Sequence, residues 1–330
     1  MALKTSYRAL LACLVPVALG ILGTSSACFA QDFPNRLVRI VVTTGQGGGM
    51  DIVSRMFAQK LSTAWGRQVV VENRPGANGV IGVQAFKALP ADGHSLLVIN
   101  PILGALDSLA GPLPYDYRKD FEPVALAFSN NFFLAVKAGG PFSSVAELIK
   151  VAKANPGKFN YGLAVVSLGQ RLGVEMFKKQ LSLDLAYIPY KAQVDAITAL
   201  RTGQIHLINA DLLAVSPLAA AGELKIIAVG ARTRSPNAPD VPTVEEAGGP
   251  PGFVTDSWVG FVTHAGVSAA IVDRLNRSLV AALREPDMKT FYQRNDYVSS
   301  EKSPAEFRRL METEAERYDR DIRSIGMKLD

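Results

Sequence analysis

From residue 37 onward, short apolar runs alternate with amphipathic stretches. Leu37, Val38, Ile40, Val41 and Val42 form a β-rich run that ends in Gly45-Gln46-Gly47-Gly48-Gly49. Over 51–65, Ile52, Val53, Met56, Phe57 and Leu61 recur at helical spacing, which predicts a helix directly after the glycines. Residues 68–72 predict a second strand, closed by Asn73-Arg74-Pro75-Gly76. A helix over 81–89, a turn at Pro90-Ala91-Asp92-Gly93 and a strand over 95–100 follow. Strand–helix–strand alternation of this kind predicts a mainly parallel sheet with helices on both faces. The pattern then restarts. Strands are predicted over 132–137, 159–162, 186–189, 205–209 and 225–229, and helices over 145–154, 168–180 and 194–202, the last stopped by Gly203. A Pro- and Gly-rich loop covers 232–252. Two helices close the chain. One spans 269–284 and ends before Pro286; the other runs from Ser303-Pro304, with Glu306 placed for a capping box, to about residue 325. No internal repeat or low-complexity tract interrupts the pattern.

Composition narrows the class. The chain has 330 residues, 48% hydrophobic and 20% charged, which excludes disordered, collagen-like and coiled-coil readings. The length fits two domains of about 150 residues each. Its net charge of +5 is small and spread along the chain, so no nucleic-acid partner is expected. The first thirty residues read as an export leader. Lys4 and Arg8 precede an apolar run over 9–23, and small residues lead to Cys28 and Ala30 at the −3 and −1 positions of a cleavage site. The run is shorter than the ~20 residues a spanning helix needs, which weighs against an N-terminal membrane anchor. A lipid anchor on Cys28 is the other alternative. Cleavage after Ala30 would remove both cysteines, Cys13 and Cys28, leaving a mature chain with no thiol, as suits the oxidising periplasm.

The glycine-rich turn after the first strand is the strongest local signal. Glycines feeding a helix N-terminus leave backbone N–H groups free under the positive end of the helix dipole, a ready site for a carboxylate or phosphate. The spacing is not a dinucleotide fingerprint, because Met50 stands where the third glycine belongs, and no Lys-Ser/Thr pair makes a P-loop. The alternative is a tight turn that needs glycine for geometry alone. Asp51 is read as a cap on free N–H groups ahead of a catalytic acid. A second turn, Arg74-Pro75-Gly76-Ala77-Asn78-Gly79, also precedes a helix and offers a second set of amides. Enzyme motifs are absent or broken: Val165 spoils a nucleophile elbow around Ser167, and His94, His206 and His264 lack ligand spacing. No metal or cofactor is expected. Tyr187, Tyr190 and Lys191 fit a pocket wall or, less simply, a base-stacking site.

Several segments together resemble the Bug-type solute-binding proteins of tripartite tricarboxylate transporters, over nearly the whole mature chain. They are Gly47-Gly48-Gly49-Met50-Asp51 with Arg55, the run 71–79, Asp92-Gly93, the run 120–124, Ile188-Pro189-Tyr190-Lys191, Pro239-Asp240-Val241-Pro242-Thr243 with Gly248, and Ser257-Trp258-Val259-Gly260. The resemblance implies an α/β, two-domain periplasmic-binding-protein-like fold of type II. Each domain would be a mainly parallel sheet flanked by helices, with a cleft between them. Domain 1 would hold 31–127 plus 235–330, and domain 2 would hold 128–234. The implied ligand is a small carboxylate: a di- or tricarboxylate, an acidic amino acid or an aromatic acid. The implied partner is a membrane permease of one large and one small subunit, with the receptor a monomer.

Carried over residue by residue, the ligand-binding positions fall on Thr43, Thr44, Gln46, Gly47 and Gly48, and on Ala77, Asn78 and Gly79. Ser167, Tyr190, Lys191 and Asp211 face them from the other domain. Thr44, Gln46, Ser167 and Asn209 would add side-chain hydrogen bonds; for Lys191 the simpler reading is a solvated lysine, and the alternative is a pair with a second carboxylate. The chain departs from the family pattern at Thr43-Thr44, where Pro and an aromatic are usual. It departs again along 163–170, where a Gly- and Ser-rich loop is usual, and at Ala192 and 263–268. Two other readings compete: a solute-sensing adaptor that docks on a sensor kinase, and a hydrolase or lyase on the same scaffold.

Overall fold

The computed structural model describes residues 33–164 and 167–329; the proposed leader over 1–30 and Val165-Val166 lie outside the described residues. In chain order, β1 (Val38–Val42) leads to α1 (Gly49–Trp65), β2 (Val69–Asn73), a 3₁₀ turn at Ala77–Gly79, α2 (Val80–Lys87) and β3 (Ser95–Ile99). A second 3₁₀ turn at Pro101–Gly104 and the one-turn α3 (Asp107–Ala110) precede β4 (Phe121–Asn131) and β5 (Phe133–Lys137). Then come α4 (Val145–Ala154), β6 (Phe159–Ala164), α5 (Leu168–Leu181), β7 (Leu185–Tyr190), α6 (Gln193–Thr202), β8 (Ile208–Ala210), α7 (Leu212–Ala220) and β9 (Leu224–Val229). The chain finishes with β10 (Asp256–His264), α8 (Ala269–Leu283), α9 (Pro286–Arg294), β11 (Tyr297–Val298) and α10 (Pro304–Ile325).

The first sheet has the order β11-β4-β10-β3-β1-β2. β1 lies inside it, paired in parallel with β2 and β3, which is why its sequence is an almost unbroken apolar run. The second part of the chain forms a sheet β8-β5-β9 and a parallel pair β6-β7, linked by a bridge between Tyr161 and Leu207. Read through that bridge, its order β7-β6-β8-β5-β9 repeats the β2-β1-β3-β10-β4 of the first sheet. The binding-protein architecture expected from the resemblance is therefore present, but the sheets are more mixed than mainly parallel. β10 runs antiparallel to β3 and β4, β11 to β4, and β5 to both its neighbours. Parallel pairing needs a crossover, usually a helix. β5 instead enters its sheet directly from β4, across Phe132 alone, and β10 enters from the long loop after β9.

Each sheet is covered by its own core. Phe133, Phe142, Tyr161, Phe177 and Leu200 are buried around the second. Val41, Phe86, Leu97, Trp258, Phe307 and Tyr318 are buried around the first, and Leu168 and Leu172 from α5 join them. Residues 36–330 form one compact unit. The expected caps are in place. Ser303 and Glu306 exchange hydrogen bonds at the start of α10, and Gly203 ends α6 in the left-handed conformation. Six elements go beyond the sequence reading: β4, β10, β11, α3, α7 and α9. Pro123 hides β4, but it sits beside a register shift opposite Val262, where a strand tolerates proline. Pro286 stops α8 and is itself the first residue of α9, the helix position proline prefers. Pro217 lies inside α7. Among the described residues no helix is long and apolar enough to cross a membrane.

Candidate functional site

The glycine turn is held by a clamp of side chains. Asp51, in the first turn of α1, is 3% exposed. Its carboxylate accepts from the Gly47 N–H (2.9 Å), from Asn73 Nδ2 (2.9 Å) and from Arg55. Asn73 also donates to the Thr44 carbonyl (3.2 Å), and Arg55 donates to Asn73 Oδ1 (2.9 Å). Burial pushes the Asp51 carboxyl up, but Arg55, the Gly47 amide and Asn73 together outweigh it and hold it below the usual carboxylate range. Asp51 thus works as a cap, and the Asp51–Arg55–Asn73 lattice explains why those residues accompany the glycines. Gly48 is the N-cap of α1, and no cap side chain bonds to the helix start. A Cβ on Gly45 or Gly48 would meet nothing within 4 Å, so neither glycine serves packing.

That open space is a cavity of about 190 Å³, the size for a small organic molecule. Four helices begin in its wall. Gly48, Gly49 and Met50 come from the start of α1, Ser167, Gly169 and Gln170 from that of α5, Ala192 and Gln193 from that of α6, and Asp211 is the N-cap of α7. Gly48 and Ala192 have no side chain that could cap, and the Ser167 and Asp211 side chains do not bond to their own helices, although Asp195 in the first turn of α6 accepts from the Ala192 N–H (3.2 Å). Helix starts carry unsatisfied N–H groups and a partial positive charge, so the wall is weighted toward an anion. Lys191 adds a full positive charge.

The wall is not uniformly positive. Asp211 lies in it, and its Oδ1 accepts from Asn130 Nδ2, also in the wall. Burial pushes the Asp211 carboxyl up to about 6, so it is mainly ionised at neutral pH. Tyr297, 5% exposed, stacks on Phe128 with ring centroids 4.1 Å apart. Its hydroxyl reaches α1: a Cβ on Gly49 would fall 2.5 Å from it. Burial, and then the nearby Asp211 carboxylate, push the Tyr297 phenol well above its usual range. The Tyr297 hydroxyl, Asn100 Oδ1 and Gln193 Nε2 are buried without a hydrogen-bond partner among the described residues, and all three side chains line this cavity. Orphaned buried polar atoms are rare in native proteins, and their concentration here marks a place for polar ligand groups.

Of the residues expected at the site, Thr44, Gln46, Gly48, Ser167, Lys191 and Asp211 line the cavity. The others serve elsewhere. Thr43 is buried, and its side chain packs where a Cβ on Gly79 or Gly82 would stand, so the second glycine turn is small to let α2 approach β1. Ala77, Asn78 and Gly79 do not line the cavity, and the Gly79 N–H is spent on the Gly76 carbonyl (2.9 Å). Gly47 turns the chain at φ +82° and gives its amide to Asp51. Tyr190 packs its ring over Gly162 on β6. Asn209 is fully buried and donates to the Gln170 carbonyl (3.0 Å). Sequence reasoning missed Asn100, Phe128, Asn130, Gln170, Gln193 and Tyr297. Asn130 and Asn131 interrupt an apolar strand, which is a usable signal; Tyr297 carries none. Among the described residues no group of three His, Cys, Asp or Glu side chains could hold a metal.

Comparison with known proteins agrees with this architecture. The family model for the tripartite tricarboxylate transporter family receptor matches residues 53–327. A UPF0065 protein from the tcbD–tcbE intergenic region of Pseudomonas sp. (strain P51) is 30% identical over 311 residues, covering 94% of this chain and 92% of that protein. Among solved structures, R. palustris Rpa4515 with adipate superposes with a TM-score of 0.85 at 31% identity, over 90% of this chain and 100% of that one. MatC (Rpa3494) from Rhodopseudomonas palustris, with bound malate, gives 0.80 at 27% identity, over 88% and 100%.

Proposed function

The chain belongs to the tripartite tricarboxylate transporter receptor family, and on that premise we propose that it captures a small carboxylate in this cavity and delivers it to a membrane permease of the tripartite type. One observation carries the reading: four helix starts and Lys191 meet at a single cavity. Backbone amides suit carboxylate capture because they need no protonation and bring no bulky charge to desolvate. The adipate and malate held by the two R. palustris relatives are acids of the size expected here.

The leader read in the first thirty residues supports a periplasmic location for this capture. Domain 1 (31–127 plus 235–330) supplies the clamped glycine turn, and domain 2 (128–234) supplies the starts of α5, α6 and α7. A ligand that bridges them shifts an open–closed equilibrium by its greater affinity for the closed form, and the permease reads the closure.

A thermal-shift screen against di-, tri- and aromatic carboxylates tests this. A ligand at about 100 times its Kd adds about 2.7 kcal/mol of stability, a shift of several degrees for a protein of this size. No shift with any of these acids defeats the reading.

A further inference from the structure

The cavity is polarised. Amides and Lys191 favour anionic ligand groups, while Asp211 opposes them. An ionised carboxylate only accepts hydrogen bonds. Asn130 Nδ2 and the residue's own backbone N–H donate to the Asp211 carboxylate, which leaves lone pairs over on a group that can accept about four hydrogen bonds. Asp211 is the N-cap of α7 yet does not bond to its own helix, so the local role usual for Asp at this position does not explain it. The Tyr297 hydroxyl and Gln193 Nε2, both in the same wall and unpartnered, are available to the ligand's own oxygens. A second ligand carboxylate set against Asp211 would be repelled, whereas a donor set there takes up its remaining lone pairs.

We infer that the cavity selects a carboxylic acid that also carries a hydrogen-bond donor, a hydroxyl or an ammonium group, and that Asp211 is the residue that receives the donor. The inference rests on the carboxylate reading above and names the ligand class within it.

Matched acids separate the two. Succinate, L-malate and L-aspartate share one skeleton and differ only at C2; glutarate, L-2-hydroxyglutarate and L-glutamate repeat the comparison one carbon longer. Calorimetric titration of the purified protein should show a hydroxy or amino acid bound at least about tenfold more tightly than its plain diacid, the scale of a hydrogen bond to a charged group. Malate and aspartate together decide whether the donor is hydroxyl or ammonium. In Asp211→Asn the ratio should fall to about threefold or less, with the plain diacid bound more tightly once the repelling charge is gone. Plain diacids that bind the wild-type protein as tightly as their substituted partners overturn the inference and leave the carboxylate reading standing. That measurement needs no variant, so a misfolded Asp211→Asn cannot rescue the idea. A preference that survives in a folded Asp211→Asn protein removes Asp211 as its source. Failure of all six acids to bind overturns both readings.

Discussion

The turn between β1 and α1 and the turn between β6 and α5 occupy equivalent places in two sheets of the same strand order, yet they are built from different residues. The first is glycine, held from behind by Asp51, Arg55 and Asn73, with open space above Gly45 and Gly48. The second leads through Ser167 into Leu168 and Leu172, which are buried in the core of the first sheet. One side presents amides from a braced loop. The other presents them from a helix anchored by apolar packing across the cavity. Thr44 and Gln46 line the cavity from the first side, and Gln170, Lys191, Gln193 and Asp211 from the second. Under the proposed function, the braced turn would supply general affinity for a carboxylate and the second side most of the selectivity.

The largest effect should follow from filling the braced turn. Gly48→Val projects into open space, so the far-UV spectrum should be unchanged while binding falls at least about 100-fold by calorimetry, from lost amide access and steric exclusion. Unaltered affinity would place the ligand elsewhere. Next comes the brace. Asp51→Ala leaves the Gly47 amide, Asn73 and the Arg55 charge without their acceptor, and should lower stability by about 3 kcal/mol in urea unfolding. A loss under about 0.5 kcal/mol would mean that the lattice does not hold the turn.

The pH dependence sharpens the contrast, because the two aspartates shift in opposite directions. Asp211 in the folded protein titrates near 6, above the value of about 3.9 for an unfolded chain. The native state therefore binds more protons than the unfolded state between those values. Stability should fall by about 2 kcal/mol as pH rises from about 4 to about 6. Asp51, held low, does the reverse: its contribution is present above about pH 4 and is lost as pH falls through its folded pKa. Comparing the pH–stability curves of wild type and Asp211→Asn isolates the first effect, and superposable curves would refute it. The smallest effect belongs to Ser167→Ala. Its hydroxyl caps nothing, so stability should change by less than about 0.5 kcal/mol, while binding weakens about threefold if the hydroxyl touches ligand.

The same contrast explains what could be read from the chain. The glycine turn, the helix behind it and most of the βαβ alternation are local, encoded by spacing within a dozen residues. Lys191 and Asp211 were legible through the family resemblance. The antiparallel strands were not, because β10 pairs with β3 and β4 across more than a hundred residues of chain and its register shifts break the alternation. The second glycine turn is ambiguous for another reason: close packing against Thr43 and an outward-facing amide set call for the same residue, and the turn lies outside this cavity wall. Tyr297 lies beyond any local pattern, since only the finished sheet brings β11 beside β4.

The contact between Tyr297 and Gly49 has a consequence for assembly. The wall is drawn from positions 44 to 297, and its last piece in chain order is supplied by a two-residue strand. A chain clipped after α9 would retain every glycine of the wall and most of both sheets and still lack a finished pocket. Ligand would therefore reward only the chain that has arrived whole.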